Sequence, residues 1–284
     1  MVNYGGIPEE FDNEITSKVV VLPVPYDGTS TWIKGADKGP GAILEASANM
    51  ELYDIETDKE IYTVGIHTAA AVTEKSSPEA MVDAVYNAVK KYNDLDKFIV
   101  TVGGEHSVSI GAIKAHAEKY KDMCVLQLDA HSDMRPEYEG SKNNHACAMA
   151  RASECCNVIQ VGIRSMAAEE KDFIKRKNVF FADEIIKDPN WIDEVVGLLD
   201  EDVYITIDMD VFDPSIMPST GTPEPGGLFW NEVLDLLRSV NNYKNIVGFD
   251  LVELCPNENN KAPDFMAAKL IYKILSYKFS GEFV

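Results

Sequence analysis

Short runs of β-branched and aliphatic residues recur along the chain at residues 18–24, 98–102, 124–128, 158–163, 203–207 and 246–251. Each is nearly continuous in apolar character rather than alternating, which is the pattern of a strand covered on both faces in a parallel sheet. Between the runs the periodicity becomes helical. Ser77-Pro78-Glu79 supplies a cap, a first-turn proline and a first-turn acid. Val82, Val85, Val89 and Tyr92 then follow at helical spacing. Asp188-Pro189 opens another helix, with Trp191, Val195, Val196 and Leu199 on one face, and a last helix covers 262–279. Strands alternating with helices predict an α/β fold with crossover connections. No Ser/Gly-rich linker, repeat or low-complexity tract interrupts residues 1–284, so a single domain is expected.

Charge narrows the function. Lys and Arg number 26 against 47 Asp and Glu, a net charge of −21, which argues against nucleic-acid binding and against docking to an anionic membrane leaflet. With 45% hydrophobic and 9% aromatic residues, the chain has enough apolar material for a core. The first ten residues carry neither a basic nor an apolar signal region, and the longest apolar run, 19–24, already contains Pro23. Five cysteines (Cys124, Cys147, Cys155, Cys156 and Cys255), odd in number and without CxxC, do not form a disulfide framework or a zinc knuckle. A reduced, cytoplasmic protein with packing cysteines is expected.

Ligands in α/β sheets bind beyond the carboxyl ends of strands, and chemistry collects there. The run ending at Val102 leads into Gly103-Gly104-Glu105-His106-Ser107, and the run ending at Leu128 leads into Asp129-Ala130-His131-Ser132-Asp133. The run ending at Ile207 leads into Asp208-Met209-Asp210, and the last run is followed by Glu253. Residues at i, i+2 and i+4 of an extended segment share a side, so Asp129, His131 and Asp133 are expected to converge. Taken singly, an Asp-x-Asp reads as a loop or cap, Gly103-Gly104 as a tight turn and His106 as a structural histidine. Together, four carboxylates would repel one another unless cations balanced them. Four carboxylates and two imidazoles exceed the needs of one four-coordinate zinc and suit a two-metal site. The absence of thiolate favours Mn²⁺ or a similar ion.

These segments, with Ile207-Asp208-Met209-Asp210-Val211-Phe212-Asp213-Pro214 and Thr220-Gly221-Thr222-Pro223-Glu224-Pro225-Gly226-Gly227, resemble the signatures of the arginase/agmatinase (ureohydrolase) family, most closely its agmatinases. Pro25-Tyr26-Asp27-Gly28-Thr29, Gly39-Pro40-Gly41-Ala42-Ile43 and Gly248-Phe249-Asp250-Leu251-Val252-Glu253 extend the resemblance from about residue 20 to 268. It implies a single-domain, three-layer α/β/α fold with a mostly parallel central sheet. It also implies two Mn²⁺ per subunit: His106, Asp129, Asp133 and Asp208 at one ion, and Asp129, His131, Asp208 and Asp210 at the other. A hydroxide between the ions would attack the guanidinium carbon of agmatine, releasing putrescine and urea. Asp133 would orient that hydroxide, Glu253 would bind the guanidinium, and His145 would relay protons to the leaving amine. The family is commonly oligomeric, as trimers or hexamers. Departures from the family pattern are His145-Ala146 in place of His-Gly, and Arg135 where arginases carry an Asn for the amino-acid head group.

The segment Arg135-Pro136-Glu137-Tyr138-Glu139-Gly140 resembles the agmatinase loop. Glu137 or Glu139 suits a small substrate whose tail ends in ammonium. Arg135 would suit a carboxylate tail, which keeps guanidinobutyrate and formiminoglutamate open alongside aminopropylagmatine and arginine. Two other readings stand lower. A zinc deacetylase of related fold uses adjacent histidines, and this chain has no His-His. A non-catalytic scaffold would not need all six ligands. His67 is expected to follow a strand without a partner, and His116 to lie on a solvated helix face.

Overall fold

The computed structural model describes residues 2–282. Its strands are β1 (Val19–Val24), β2 (Ile66–Thr68), β3 (Phe98–Gly103), β4 (Cys124–Leu128), β5 (Asn157–Ile163), β6 (Val179–Phe181), β7 (Asp202–Asp208) and β8 (Asn245–Val252). All pair in parallel in one sheet of order β2-β1-β3-β8-β7-β4-β5-β6. The helices are α1 (Gly39–Ser47), α2 (Pro78–Asn93), α3 (Val108–Lys119), α4 (Ala148–Ala152), α5 (Ala182–Ile185), α6 (Trp191–Leu198), α7 (Trp230–Tyr243) and α8 (Ala262–Phe279).

Two apolar cores sandwich the sheet. Val19 and Val21 of β1 join α1, α6, α7 and α8 on one face. Val20, Leu22 and Val24 join α2, α3 and α4 on the other. This three-layer arrangement explains why the strand runs are continuously apolar: each side chain of the pleat meets a helix layer. No helix among the described residues is long and apolar enough to cross a membrane.

The six expected runs are strands, with ends shifted by at most one residue. The additional strands, β2 and β6, have three residues each, too few to show a period. At α2 the Ser77 side chain accepts from Ala80 N–H at 3.1 Å, with Pro78 at the first position. The helix expected from Asp188-Pro189 begins two residues past the proline, at Trp191, whose N–H is held by the Asp188 carbonyl.

Two histidines differ from expectation. His67 lies inside β2 rather than after it, and its Nδ1 pairs with Asp12 Oδ1 at 2.9 Å. His116 is completely buried rather than solvated. It falls one turn after Ala112 on the face of α3 that meets the sheet, its ring packs 4.7 Å from that of Tyr204, and its Nδ1 bonds the Ala112 carbonyl. A Cβ at Gly248 would come within 2.5 Å of His116 Nε2, so this strand position needs glycine. The cysteines are all free thiols, with Cys124, Cys147 and Cys156 buried.

Candidate metal centre and active site

The strands whose ends carry the polar motifs are neighbours in the sheet, β3-β8-β7-β4. Segments far apart in sequence therefore open onto one cavity of about 280 Å³ at their carboxyl ends.

His106 enters from the turn after β3. Its Nδ1 stands 3.0 Å from Asp133 Oδ2, 3.1 Å from Asp129 Oδ2 and 3.4 Å from Asp208 Oδ2. It is buried and makes no hydrogen bond. The other ring nitrogen lies 2.9 Å from Thr206 Oγ1. Thr206 gives its hydroxyl hydrogen to Asp250 Oδ1 at 2.6 Å, so Nε2–H must donate to Thr206. The lone pair of His106 is then on Nδ1, aimed among three carboxylates.

The second cluster is built from Asp129, His131 and Asp210. His131 Nδ1 lies 2.9 Å from Asp210 Oδ2 and 3.7 Å from Asp129 Oδ1. Asp129 is common to this cluster and to that of His106, Asp129 and Asp208. The expected extended Asp-x-His-x-Asp is corrected in one respect. β4 ends at Leu128, and Asp133 has a positive φ of 51°, so the triple bends. Asp133 meets His106 while His131 meets Asp210, one on each side of Asp129. Glu253, with φ 64°, is the other site carboxylate held in this unfavourable region.

Buried hydrogen bonds brace the carboxylates. Gln160 Nε2 donates to Gln127 Oε1 at 2.6 Å, and Gln127 Nε2 donates to Asp129 Oδ2 at 2.7 Å. Asp208 Oδ1 accepts from Asp210 N–H at 2.8 Å, and Asp210 Oδ1 accepts from Ala130 N–H at 3.0 Å. Arg164 donates to the Asp210 and Glu224 carbonyls, pinning the 220–227 loop over the site.

The electrostatics of this cluster call for cations. Burial, with Asp210 and Asp129 beside it, raises the Asp208 carboxyl well above its ordinary range. Burial and Asp129 push Asp133 up to about 6. Burial acts on Asp129 the same way, but His106 and His131 overcome it and hold that carboxyl low. Burial opposes a charged His131, yet Asp210 and Asp129 lift it to about 12. An unpartnered imidazole nitrogen facing buried, mutually repelling carboxylates fits a pair of divalent ions.

Glu253 extends the site beyond these ligands. Its Oε1 accepts from His106 N–H at 2.9 Å. Burial and the neighbouring Glu105 raise its carboxyl well above the usual range, which a bound guanidinium would reverse.

The arginase family model matches residues 17–276. The chain belongs to the arginase family. It is thereby a ureohydrolase, one of a group of enzymes that includes agmatinases and aminopropylagmatine ureohydrolases. It is 40% identical over 270 residues to an N(1)-aminopropylagmatine ureohydrolase of Synechocystis sp., covering 91% of this chain and 88% of that one. An agmatinase of Pyrococcus horikoshii is 33% identical, over 90% of each chain. The crystal structure of an agmatine ureohydrolase of Thermoplasma volcanium superposes with a TM-score of 0.87 at 32% identity, covering 96% of this chain and 94% of that one.

Within this family member, the remaining expected residues divide. His145 and Arg135 line the cavity. Burial, then the charges of His106 and His131, lower His145 to about 4. Arg135 stacks on Tyr138, 4.3 Å from the ring centroid, and lies 3.8 Å from Glu170. Glu170 in turn accepts from Ser132 Oγ, Met134 N–H and Ala167 N–H. Arg135 is thus part of the wall. Glu137 and Glu139 are exposed and do not line the cavity, whereas Tyr138 between them does.

The sequence reading missed Thr206, Asp250, Gln127, Glu170 and Thr29. Gln127 and Asp250 carried a signal, being polar residues inside otherwise apolar runs. Thr29 lay at the end of the family-like segment Pro25–Thr29 without a role assigned to it, and Glu170 carried no signal.

Proposed function

We propose that the protein hydrolyses the guanidino group of agmatine or of its N1-aminopropyl derivative with the help of two Mn²⁺ ions. The observation that carries this reading is the pair of His/Asp clusters sharing the buried Asp129, with Glu253 bonded to the His106 backbone beside them. His106, Asp129, Asp133 and Asp208 would hold one ion, and Asp129, His131, Asp208 and Asp210 the other. Bound ions would supply Lewis acidity and lower the pKa of water toward neutrality.

The chain's own groups do the rest. Glu253 binds and orients the guanidinium through a charge-assisted pair. Asp133 accepts a hydrogen bond from the attacking water. His145 takes a proton and returns it to the departing amine. Urea leaves with putrescine from agmatine, or with spermidine from aminopropylagmatine, a step of polyamine synthesis.

A cationic tail is favoured by the cavity lining. Arg135 is the one Lys or Arg among the described lining residues, and Tyr138 and Glu170 already engage it, so it is not free to pair with a carboxylate tail. The aminopropyl form is supported by three relatives of that name at 38–40% identity, compared with agmatinases at 33–34%; a fourth relative of that name is 33% identical. The resemblance to the family supports a cytoplasmic homo-oligomer, a trimer or hexamer.

The test is urea release by manganese-loaded protein from agmatine, aminopropylagmatine, guanidinobutyrate and arginine. The two cationic-tailed compounds should exceed the others by about 100-fold or more in kcat/KM, on the order of 2.7 kcal/mol. Absence of urea from every guanidino compound would overturn the reading.

A further inference from the structure

The hydroxyl of Thr29, in the loop after β1, touches three groups brought from distant parts of the chain. Its Oγ1 lies 2.9 Å from Glu105 Oε1, 3.1 Å from His145 Nδ1 and 3.0 Å from His145 N. Thr29 and Glu105 are both buried. A hydroxyl has one hydrogen and two lone pairs. The His145 backbone N–H fills one lone pair. Glu105, which also receives Ser107 N–H at 2.7 Å and Ser107 Oγ–H at 2.8 Å, acts as acceptor and takes the hydroxyl hydrogen. The remaining lone pair of Thr29 can only accept, so Nδ1 must carry a hydrogen.

We propose that Glu105 and Thr29 are positioning residues that fix His145 as the Nδ1–H tautomer and leave Nε2 as its proton-accepting atom at the cavity. Nε2 takes the proton and later releases that same proton to the leaving amine, while Nδ1–H stays bonded to Thr29 throughout. The inference rests on the role given to His145 above. It makes Thr29 the counterpart, for this histidine, of an orienting acceptor in a triad.

The test pairs a spectroscopic and a kinetic readout. Full-length protein with ¹⁵N-labelled histidine, loaded with diamagnetic zinc, reports its ring tautomers by NMR, with His145→Asn identifying the signals. The wild type should show hydrogen on Nδ1 of His145, and Thr29→Val should lose that preference. In manganese-loaded protein, Thr29→Val should lower kcat on agmatine about 10–100-fold, alter the pH profile of kcat and leave KM within about twofold. Thr29→Ser should restore kcat to within about threefold.

Hydrogen on Nε2 in the wild type overturns the inference, as does a Thr29→Val kcat within about twofold of wild type. If Thr29→Val does not fold, the wild-type tautomer and the serine variant still decide. If no guanidino compound is hydrolysed, the functional reading fails, whereas the tautomer stands or falls on the spectrum alone.

Discussion

The backbone N–H of His106 donates to Glu253 Oε1 at 2.9 Å, so the first residue of the candidate metal centre also anchors the carboxylate expected to meet the guanidinium. Glu253→Gln keeps an oxygen for that hydrogen bond and removes the charge. Loss of a buried, charge-assisted partner should lower kcat/KM on the order of 10²–10³-fold, about 3–4 kcal/mol. Metal content, measured by elemental analysis, should stay at the wild-type level; metal loss would mean that Glu253 acts on the centre instead.

Asp210 lies 2.9 Å from His131 Nδ1 through one oxygen and accepts the Ala130 N–H through the other. Asp210→Ala should therefore lose the ion of the His131 cluster and nearly all activity. In the wild type, each ion at a hundredfold excess over its Kd should stabilise the fold by about 2.7 kcal/mol. Manganese should raise Tm, chelation should reverse the rise, and Asp210→Ala should show a smaller rise. An unchanged metal count in the variant would contradict this assignment.

Thr206 orients His106 by accepting its Nε2–H. Thr206→Val keeps the shape but removes this acceptor, and metal affinity should fall about 10–100-fold. Thr206→Ser should recover most of it. Titration of metal-free protein followed by tryptophan fluorescence or calorimetry reads the effect directly, and equal affinities for valine and wild type would exclude the role.

His116 is buried away from solvent, and burial lowers it to about 4 from the ordinary value of 6.5. Between those values the unfolded chain binds the proton and the folded chain does not, so stability rises with pH across that window and falls as the pH is lowered. The total is about 3 kcal/mol. His116→Phe should reduce the slope of unfolding free energy between pH 6.5 and 4 by about 1.4 kcal/mol per pH unit. Denaturant unfolding across this range checks it, and an unaltered slope would count against the assignment.

The strand runs, the cap at Ser77 and the six candidate ligands were legible because each depends on neighbours a few residues away. Asp129, His131 and Asp133 lie within five positions, and so do Asp208 and Asp210. Such spacing survives folding even where the expected geometry was too straight, as at Asp133. His116 was misread because four residues around it are Lys or Glu, and the burying partner, Tyr204, lies on a distant strand.

Sequence by itself determined which segments become buried strands and which side chains can hold metal, since backbone periodicity and local spacing are short-range properties. Tertiary structure decided the rest. The order β3-β8-β7-β4 brings four strand ends to one cluster of polar side chains. Arg135 became wall, stacked on Tyr138, while Glu137 and Glu139 on either side of that tyrosine became surface. Thr29 meets Glu105 and His145 across 76 and 116 residues of chain. No local pattern encodes such meetings, because hydrogen bonds between distant segments exist only once the packing of the sheet has fixed their loops in space.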